Sequence, residues 1–233
     1  MKTVSAREAW TGVANCRNCP IRRSVLFSGL EEEDFEKIHQ PIDQFRYEPG
    51  GQLYGQEDDA DSLFTIRSGL VKLVQYLPDG TQRIVRLLGD TDVVGLEALL
   101  FDRYEHAAIA LHPTEICRIP RAVVKERMTQ NPKLYNDLMA RWHRAVSDCD
   151  RMITELNTGT ARARVVRLLL WLAERNGGER CTLFGREDMA ALLALTTETI
   201  SRTMAELKRQ GYISEPRPNQ ILCDTPNLQR LLS

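Results

Sequence analysis

Residues 186–202 read REDMAALLALTTETISR, and this stretch predicts two short helices joined by a tight turn. Thr196 suits the N-cap of the second helix, because its hydroxyl can accept a hydrogen bond from an unpaired N–H of the first turn. Ala194 stands at a turn position that often carries glycine. Apolar residues recur at helical spacing and give each helix one buried face: Met189, Leu192, Leu193, Ile200, Met204 and Leu207.

The exposed face of the second helix begins with Thr197, Glu198, Ser201 and Arg202. Arginine can pair with guanine O6 and N7, glutamate can accept from cytosine N4, and serine or a threonine methyl can contact thymine. Recognition helices make such contacts near their N-terminal ends. Any helical hairpin on a surface also carries charges outside and leucines inside, so the pattern alone leaves DNA binding and a structural role open.

Two apolar runs, residues 212–214 and 220–222, flank a turn and predict a short β-hairpin. A β-hairpin that follows a helix pair in this way is called a wing, and this one would bring Arg217 to a phosphate of the DNA backbone. Arg186 at the start of the first helix and Lys208 near the end of the second are further candidate phosphate contacts. These cations should give DNA binding its salt dependence rather than its sequence preference.

The composition is that of a globular protein. Of the 233 residues, 42% are hydrophobic and 27% are charged, and no apolar run is long enough for a transmembrane helix. The N-terminus lacks the hydrophobic region of a secretory signal, and six cysteines without such a signal favour a reducing, cytoplasmic location. No catalytic metal motif or nucleophile elbow occurs, so the sequence predicts a protein that is not an enzyme.

Charge is unevenly distributed along the chain, although the net charge is −1. Residues 160–233 hold 11 basic and 8 acidic residues, whereas residues 31–159 hold 15 basic and 23 acidic ones. DNA attracts a basic module and repels an acidic one. The division is consistent with a separate C-terminal module that binds DNA.

Residues 42–119 contain short apolar runs separated by turn signals, which predict an antiparallel β-barrel or β-roll. From Arg121 the period becomes helical, and Pro132 opens a long helix. Apolar residues along this helix alternate in the spacing that pairs two helices: Leu138, Trp142, Ala145, Cys149, Met152 and Leu156. The spacing predicts the interface of a homodimer, although a helix packed on its own domain shows the same period.

The predicted fold is therefore α+β, with an N-terminal antiparallel β-roll, a long dimerisation helix and a C-terminal winged helix-turn-helix. The predicted boundaries are a cysteine-containing segment at residues 1–30, the roll as sensor domain at 31–120, the dimerisation helix at 121–158 and the DNA-binding domain at 159–233.

This order of parts resembles the CRP/FNR superfamily of bacterial transcription regulators over nearly the whole chain. The roll carries similar marks at Pro49-Gly50, at residues 66–69 (IRSG) and at Gly89-Asp90. The most specific piece, ETISR at residues 198–202, resembles the E-x-x-S-R recognition set of the FNR branch.

The resemblance implies a function for these positions. Glu198, Ser201 and Arg202 would read a TTGAT-like half-site in each half of a palindrome on double-stranded DNA, which a homodimer would match. RNA polymerase would be a partner at the loop of residues 78–81, by family analogy alone. The resemblance also implies a ligand pocket in the roll. Gly95, Glu97 and His106 stand there without the arginine that pairs with a cyclic nucleotide phosphate, which argues against cyclic AMP.

Three cysteines, Cys16, Cys19 and Cys117, match positions that hold an iron–sulfur cluster in FNR-type oxygen sensors. Val25 stands where the third N-terminal cysteine would fall, and a [4Fe–4S] cluster ordinarily needs four protein ligands. A cluster that responds to oxygen or redox state is therefore one of several inputs that stay open.

The same cysteines permit other inputs. Cys16 and Cys19 could form a reversible disulfide, or bind zinc together with Cys117, whereas haem, another small ligand or no ligand has less support in the residues. Cys181 and Cys223 show no evident partner and are expected to be structural. A β-roll that binds a small ligand and does not bind DNA is the alternative from another class.

Overall fold

The computed structural model describes residues 10–13, as backbone, and residues 42–232. Contacts divide the chain into two compact units, Met1–Ser147 and Asp148–Ser233. Among the helices that the structure describes, none combines the length and the hydrophobicity that a membrane crossing requires.

The first unit is built on two antiparallel sheets. Its strands are β1 (Trp10–Val13), β2 (Asp43–Tyr47), β3 (Gln52–Tyr54), β4 (Ser62–Ser68), β5 (Val71–Tyr76), β6 (Gln82–Leu88), β7 (Val93–Val94), β8 (Ala107–Ala110) and β9 (Thr114–Pro120). One sheet has the order β1-β2-β9-β4-β7 and the other has the order β3-β8-β5-β6. The predicted antiparallel β-roll is confirmed.

The core of the roll lies where the apolar runs of β4 and β9 meet. Their register places Ile66 opposite Ile116, and both side chains are fully buried. The chain turns after β4 at Gly69, whose φ is +115° and where a Cβ would lie 2.5 Å from Thr114 Oγ1. Only glycine fits this turn, which explains its place in the IRSG stretch.

Two helices follow the roll, α1 (Arg121–Gln130) and α2 (Pro132–Arg151). Asn131 between them is extended, at φ −129°. Its side-chain oxygen accepts hydrogen bonds from the N–H groups of Lys133 and Leu134, at 3.0 and 3.3 Å. The side chain of Asn131 therefore starts α2, in agreement with the long helix predicted from Pro132.

The face of α2 predicted as a dimer interface is in part turned to the protein's own core. Leu138 is 1% exposed within the core of the first unit, and Trp142 is partly buried against the same core. Leu156, at the end of a π-helical turn (Met152–Leu156), is 4% exposed in the second unit. Leu138 and Leu156 are thus buried within their own units, and the predicted interface stays a prediction to which these two residues contribute little exposed surface.

The neighbouring face of α2 carries the exposed apolar side chains. Tyr135 and Val146 are each 49% exposed and Met139 is 42% exposed. These positions lie one residue after the buried positions 134 and 138 and the half-buried position 145, so α2 has two adjacent apolar faces. Helical period reports that a face is apolar and does not report what covers it.

The second unit contains α3 (Ala161–Arg175), β10 (Arg180–Thr182), α4 (Arg186–Leu193), α5 (Thr197–Arg209), β11 (Ile213–Arg217), β12 (Gln220–Cys223) and α6 (Thr225–Arg230). Its sheet has the order β10-β12-β11. The helix pair and the wing hairpin are confirmed, and β10 is a third strand that the sequence did not indicate. The sheet also corrects one expectation, because Cys181 and Cys223 lie with their sulfur atoms 3.9 Å apart.

Candidate nucleic-acid interface

The turn between α4 and α5 is closed although it lacks glycine. Ala194 adopts the left-handed conformation, at φ 52° and ψ 47°. The N–H of Leu195 donates to the carbonyl of Ala190 at 3.1 Å, and Arg164 Nη1 donates to the carbonyl of Leu193 at 3.1 Å. These bonds satisfy carbonyls at the end of α4 and fix the angle at which the chain enters α5.

The first turn of α5 is fixed by its cap and by one buried face. Thr196 Oγ1 accepts a hydrogen bond from the N–H of Thr199 at 3.1 Å. Ile200, Met204 and Leu207 are at most 2% exposed and hold the helix against the rest of the unit. The opposite face of α5 is therefore presented to solvent in a defined orientation.

The four predicted base-reading residues all lie on this exposed face. Arg202 Nη2 lies 2.5 Å from Glu198 Oε1, and the two side chains are 78% and 70% exposed. Ser201 Oγ donates to the carbonyl of Thr197 at 2.9 Å. An exposed ion pair of this kind contributes at most about 1 kcal/mol. The pair therefore orients the Arg202 guanidinium while leaving it able to contact a base.

Lys208, a predicted phosphate contact, is paired with an acid of the wing. Its ammonium contacts a carboxylate oxygen of Glu215, whose other oxygen accepts from the N–H of Asn219 at 2.9 Å. The Lys208 hydrogen bond, followed by that from Asn219, lowers the pKa of Glu215 below its ordinary value. The sequence interpretation missed Glu215, although an acid in a wing beside a basic helix end is a usable signal.

Arg186 and Arg217 occupy different parts of the same surface. Arg186 is half-buried with Nη1 3.3 Å from Met189 Sδ, and its charge also contributes to the low pKa of Glu215. Arg217 is exposed at the end of β11, in register with Gln220 at the tip of the wing. The structure thus brings two of the predicted phosphate contacts, Arg186 and Lys208, to Glu215 and leaves Arg217 at the tip.

The predicted sulfur site is only in part within the described residues. Cys16 and Cys19 lie outside them. Cys117 is half-buried on β9, and Arg67 Nη1 lies 3.8 Å from its sulfur. A guanidinium at this distance favours the thiolate form of a cysteine. Within residues 42–232, no group of three or more His, Cys, Asp or Glu side chains is placed to hold a metal ion.

The roll also contains a polar cluster near Gly95. Glu97 is 7% exposed, and burial raises the pKa of its carboxyl. The Tyr54 hydroxyl and the Glu97 carboxyl share a hydrogen bond, whereas His106 Nδ1 has no hydrogen-bond partner among the described residues. Burial, together with the charge of Arg86, lowers the pKa of His106. A buried acid with a raised pKa suits an uncharged polar ligand better than a phosphate dianion.

Two family models match this chain. One, described as a cyclic nucleotide-binding domain, matches residues 44–131. The other, described as a Crp-like helix-turn-helix domain, matches residues 163–231. The first match covers most of the roll, and the second covers the helix pair with its wing.

Proteins similar over most of the chain are also regulators. The chain is 30% identical over 188 residues to the nitrogen fixation regulation protein FixK of Azorhizobium caulinodans, covering 77% of this chain and 75% of that protein. It is 26% identical over 226 residues to the transcriptional regulatory protein btr of Bordetella pertussis, covering 94% and 93%.

A solved structure extends the likeness to the fold. FixK2 from Bradyrhizobium japonicum has a TM-score of 0.75 and 25% identity, with coverage of 82% of this chain and 98% of that one. The similarity thus includes the roll as well as the helix pair. The chain is a DNA-binding transcription regulator and belongs to the CRP/FNR family.

Proposed function

We propose that this regulator is a homodimer of the FNR type. It reads TTGAT-like half-sites of a palindrome and responds to oxygen or redox state through Cys16, Cys19 and Cys117. The observation that carries the reading function is the exposed pair of Glu198 and Arg202 at the start of α5. No catalytic step is part of the proposal.

Base reading rests on the geometry of the α5 face. Arg202 presents a planar fork of N–H donors that can pair with guanine O6 and N7, and Glu198 can accept from cytosine N4. Ser201 donates its proton to the helix backbone, so its oxygen is left to accept a bond from a base. Thr197 offers its methyl group to thymine.

Backbone contacts are assigned to cations that surround the reading face. Arg217 at the wing tip and Arg186 at the start of α4 meet phosphates directly, and Lys208 does so once it leaves Glu215. These contacts orient the protein on the duplex and carry no sequence information. The DNA-binding domain of this proposal spans residues 159–233.

The dimer rests on the exposed apolar face of α2. Tyr135, Met139 and Val146 are large side chains that lie half in solvent on one helix. A second copy of the same helix, related by a two-fold axis, would cover them. Ala145, Cys149 and Met152, which are half-buried, lie at the margin of such an interface.

The input rests on thiol chemistry at Cys117. The Arg67 guanidinium stabilises the thiolate that either metal binding or oxidation requires. Three cysteines are fewer ligands than a [4Fe–4S] cluster ordinarily takes, and Val25 does not supply the fourth. The groups proposed to sense the signal are therefore the cysteine thiols themselves. They could hold an iron–sulfur cluster, bind zinc or form a disulfide, and a metal analysis distinguishes these three states.

A second candidate input is a small polar ligand in the roll. The observation that favours it is His106 Nδ1, which is buried without a hydrogen-bond partner among the described residues, because buried polar atoms normally have partners.

The loop of residues 78–81, between β5 and β6 of the roll, is proposed as the RNA polymerase contact by family analogy. In this loop the Asp79 side chain accepts a hydrogen bond from the N–H of Thr81 at 2.9 Å.

DNA binding is tested by fluorescence anisotropy with a duplex that carries two TTGAT half-sites in a palindrome. A duplex of the same composition with scrambled half-sites is the control. Binding that is at least about a thousandfold tighter to the palindrome supports specific reading. Equal affinity for both duplexes overturns the proposed half-site.

The input is tested by metal analysis of protein purified without oxygen. Iron and acid-labile sulfide in cluster stoichiometry support the cluster form of the input. Colourless protein without iron excludes it, and zinc content and thiol titration then distinguish the two remaining forms. Replacing Cys117 with serine should abolish the response to oxygen, and an unchanged response contradicts the assignment of Cys117.

A further inference from the structure

Two cysteines that the redox proposal does not use lie together in the DNA-binding unit. The sulfur atoms of Cys181 and Cys223 are 3.9 Å apart, and the residues are 2% and 6% exposed. They are 42 positions apart in sequence, so the fold alone brings them together. They lie in a different unit from Cys117, which is on β9 of the roll.

The strand register explains why the two thiols meet. Cys181 of β10 lies opposite Ile221 of β12, and Cys223 lies two residues further along β12. Side chains two residues apart on a strand share a face, and diagonal neighbours across an antiparallel pair remain within reach. Because β12 is the middle strand, Cys223 is also opposite Ile213 of β11. The pair therefore joins the first strand of the sheet to the strand that carries the wing.

The two thiols are chemically different. The hydrogen bond between the two sulfur atoms raises the pKa of Cys181 and lowers that of Cys223. Burial adds to the increase at Cys181. A thiolate is the nucleophilic form of cysteine, so Cys223 is the attacking sulfur and Cys181 the resolving one.

A groove on the sheet borders one residue of the pair. It has a volume of about 530 Å³ and is lined by Arg180, Cys181, Thr182, Arg217 and Ile221, among other residues. Cys223 is not part of its lining, and the two cysteines are 2% and 6% exposed. Only a small, uncharged oxidant such as a peroxide therefore suits the site.

We propose that Cys181 and Cys223 form a second thiol site, which reacts with peroxides and closes a reversible disulfide inside the DNA-binding unit. In the first step the Cys223 thiolate attacks one peroxide oxygen, the O–O bond breaks, and a sulfenic acid and hydroxide form. In the second step the Cys181 sulfur attacks the Cys223 sulfur, and the sulfenic oxygen leaves as water with the Cys181 proton. Two thiols are oxidised by two electrons, and one hydrogen peroxide is reduced to two waters.

Closing this bond must move the sheet. A disulfide holds its sulfur atoms at about 2.05 Å, well below the observed 3.9 Å. Diagonal residues on neighbouring strands have Cα atoms about 7–8 Å apart, beyond the usual range of about 4.4–6.8 Å for a disulfide. The backbones of β10 and β12 therefore shift toward one another. Since β12 pairs with β11, the shift displaces the wing and weakens its contact with DNA.

The thiol chemistry is tested on the full chain by peptide mapping. Reduced protein is treated with hydrogen peroxide, the peroxide is removed by catalase, and free thiols are alkylated in denaturant before trypsin digestion. The expected product is a linked pair of the peptides 181–186 and 210–230, lighter by two hydrogens than their sum. Dithiothreitol should restore two alkylatable thiols. Full alkylation of both cysteines after peroxide, or sulfonic acid at Cys223 without a link, overturns the proposal.

Variants assign the roles of the two sulfurs. Cys181→Ala should stop at a sulfenic acid on Cys223 that dimedone traps, whereas Cys223→Ala should leave Cys181 as a free thiol. Dimedone on Cys181 instead would overturn the assigned order. Because each variant could be destabilised, thermal melting is compared with the parent, and the mapping of the unmodified chain keeps the test independent of them.

The coupling to DNA is tested separately, in a chain with Cys16, Cys19, Cys117 and Cys149 replaced by serine. Peroxide should lower its affinity for the palindromic duplex by about tenfold through loss of wing contacts, and dithiothreitol should reverse the loss. Adding Cys181→Ala should abolish the effect of peroxide. A disulfide that forms without a change in affinity overturns the wing coupling. Failure of the reduced protein to prefer the palindrome contradicts the proposed half-site instead.

Discussion

The two units of the protein differ in how fully their buried polar groups are paired. In the second unit Thr160, Thr196 and Asp224 each cap a helix through a side-chain oxygen. In the roll, Thr65 Oγ1 and His106 Nδ1 are buried and lack partners among the described residues. Capped helix ends fix the surface of the second unit in one geometry, as base reading requires. Buried polar atoms without partners in the first unit are the feature that the proposed ligand input would use.

The largest expected effect tests which face of α2 belongs to the core. Leu138→Ala should lower the free energy of unfolding by about 2–5 kcal/mol, because it removes a fully buried side chain from the first unit. Its neighbour Met139 supplies the matched control on the exposed face. Met139→Ala should change the free energy of unfolding by no more than about 0.5 kcal/mol and should weaken self-association.

Urea unfolding and sedimentation equilibrium, at matched protein concentrations, measure these two quantities. A Leu138→Ala protein with the stability of the parent would show that this face does not support the core. Unchanged self-association of Met139→Ala would remove the exposed face from the dimer.

The next effect tests the output. Arg202→Ala should cost about 1–3 kcal/mol of operator affinity, roughly 5- to 150-fold, and should relax the preference at one base pair. Arg209→Ala, which removes an exposed cation from the last turn of the same helix, should leave base preference unchanged. Anisotropy titrations with duplexes that carry each of the four base pairs at that position measure the base preference. If Arg202→Ala shows the same base preference as the parent protein, Arg202 does not read a base.

A smaller effect tests whether the wing restrains Lys208. Glu215→Gln keeps an oxygen for the N–H of Asn219 but removes the ion pair, at a cost of at most about 1 kcal/mol in stability. Lys208 is then free for a phosphate, so the slope of log affinity against log salt should steepen by about 1. Glu174→Gln, the same change of charge on α3, is the control. Equal slopes for both variants would show that Lys208 is not released by the loss of Glu215.

The smallest expected effect is a dependence of protein stability on pH, and it arises from Glu97 in the roll. Burial raises the pKa of Glu97 in the folded protein, so the folded state binds the proton more tightly than the unfolded state. The contribution of Glu97 to the free energy of unfolding is greatest below the pKa that this carboxyl has in the unfolded chain. It is lost as the pH rises through the higher pKa that the carboxyl has in the folded protein. Glu97→Gln should flatten this decline above pH 4.5 and stabilise the protein at neutral pH. The charge of Glu105 adds to the raised pKa of Glu97, so Glu105→Gln should weaken the decline only in part.

Thermal melting from pH 4 to pH 8 records the dependence on pH. A variant that declines as steeply as the parent would show that Glu97 is not responsible.

Local signals in the sequence predicted the parts that local physics decides. The cap at Thr196, the apolar stripe through Ile200 and the turn residues of the wing act over a few positions, and each was found where expected. The register of the α2 face was not predictable, because residues 138 and 139 are both apolar and only the roll decides which is covered.

The sequence also did not predict contacts between residues that lie far apart along the chain. The strand β10 has three residues and no pattern of its own, so its alignment with β12 could not be inferred. The meeting of Cys181 and Cys223 depends on that alignment. The pairing of Lys208 with Glu215 likewise depends on how the wing folds back on α5.

Ala194, in its left-handed conformation, is a position where a substitution can change the stability of the DNA-binding unit without replacing a base-reading residue. A residue with a Cβ in this conformation costs about 1–2 kcal/mol, and glycine would remove that cost while adding about 0.5–1 kcal/mol of backbone entropy. The turn thus holds a small reserve of free energy at an exposed position, outside the buried core of the helix pair. The thermal stability of the unit can therefore change through a substitution at this one position, without any change in the residues that are proposed to read the bases.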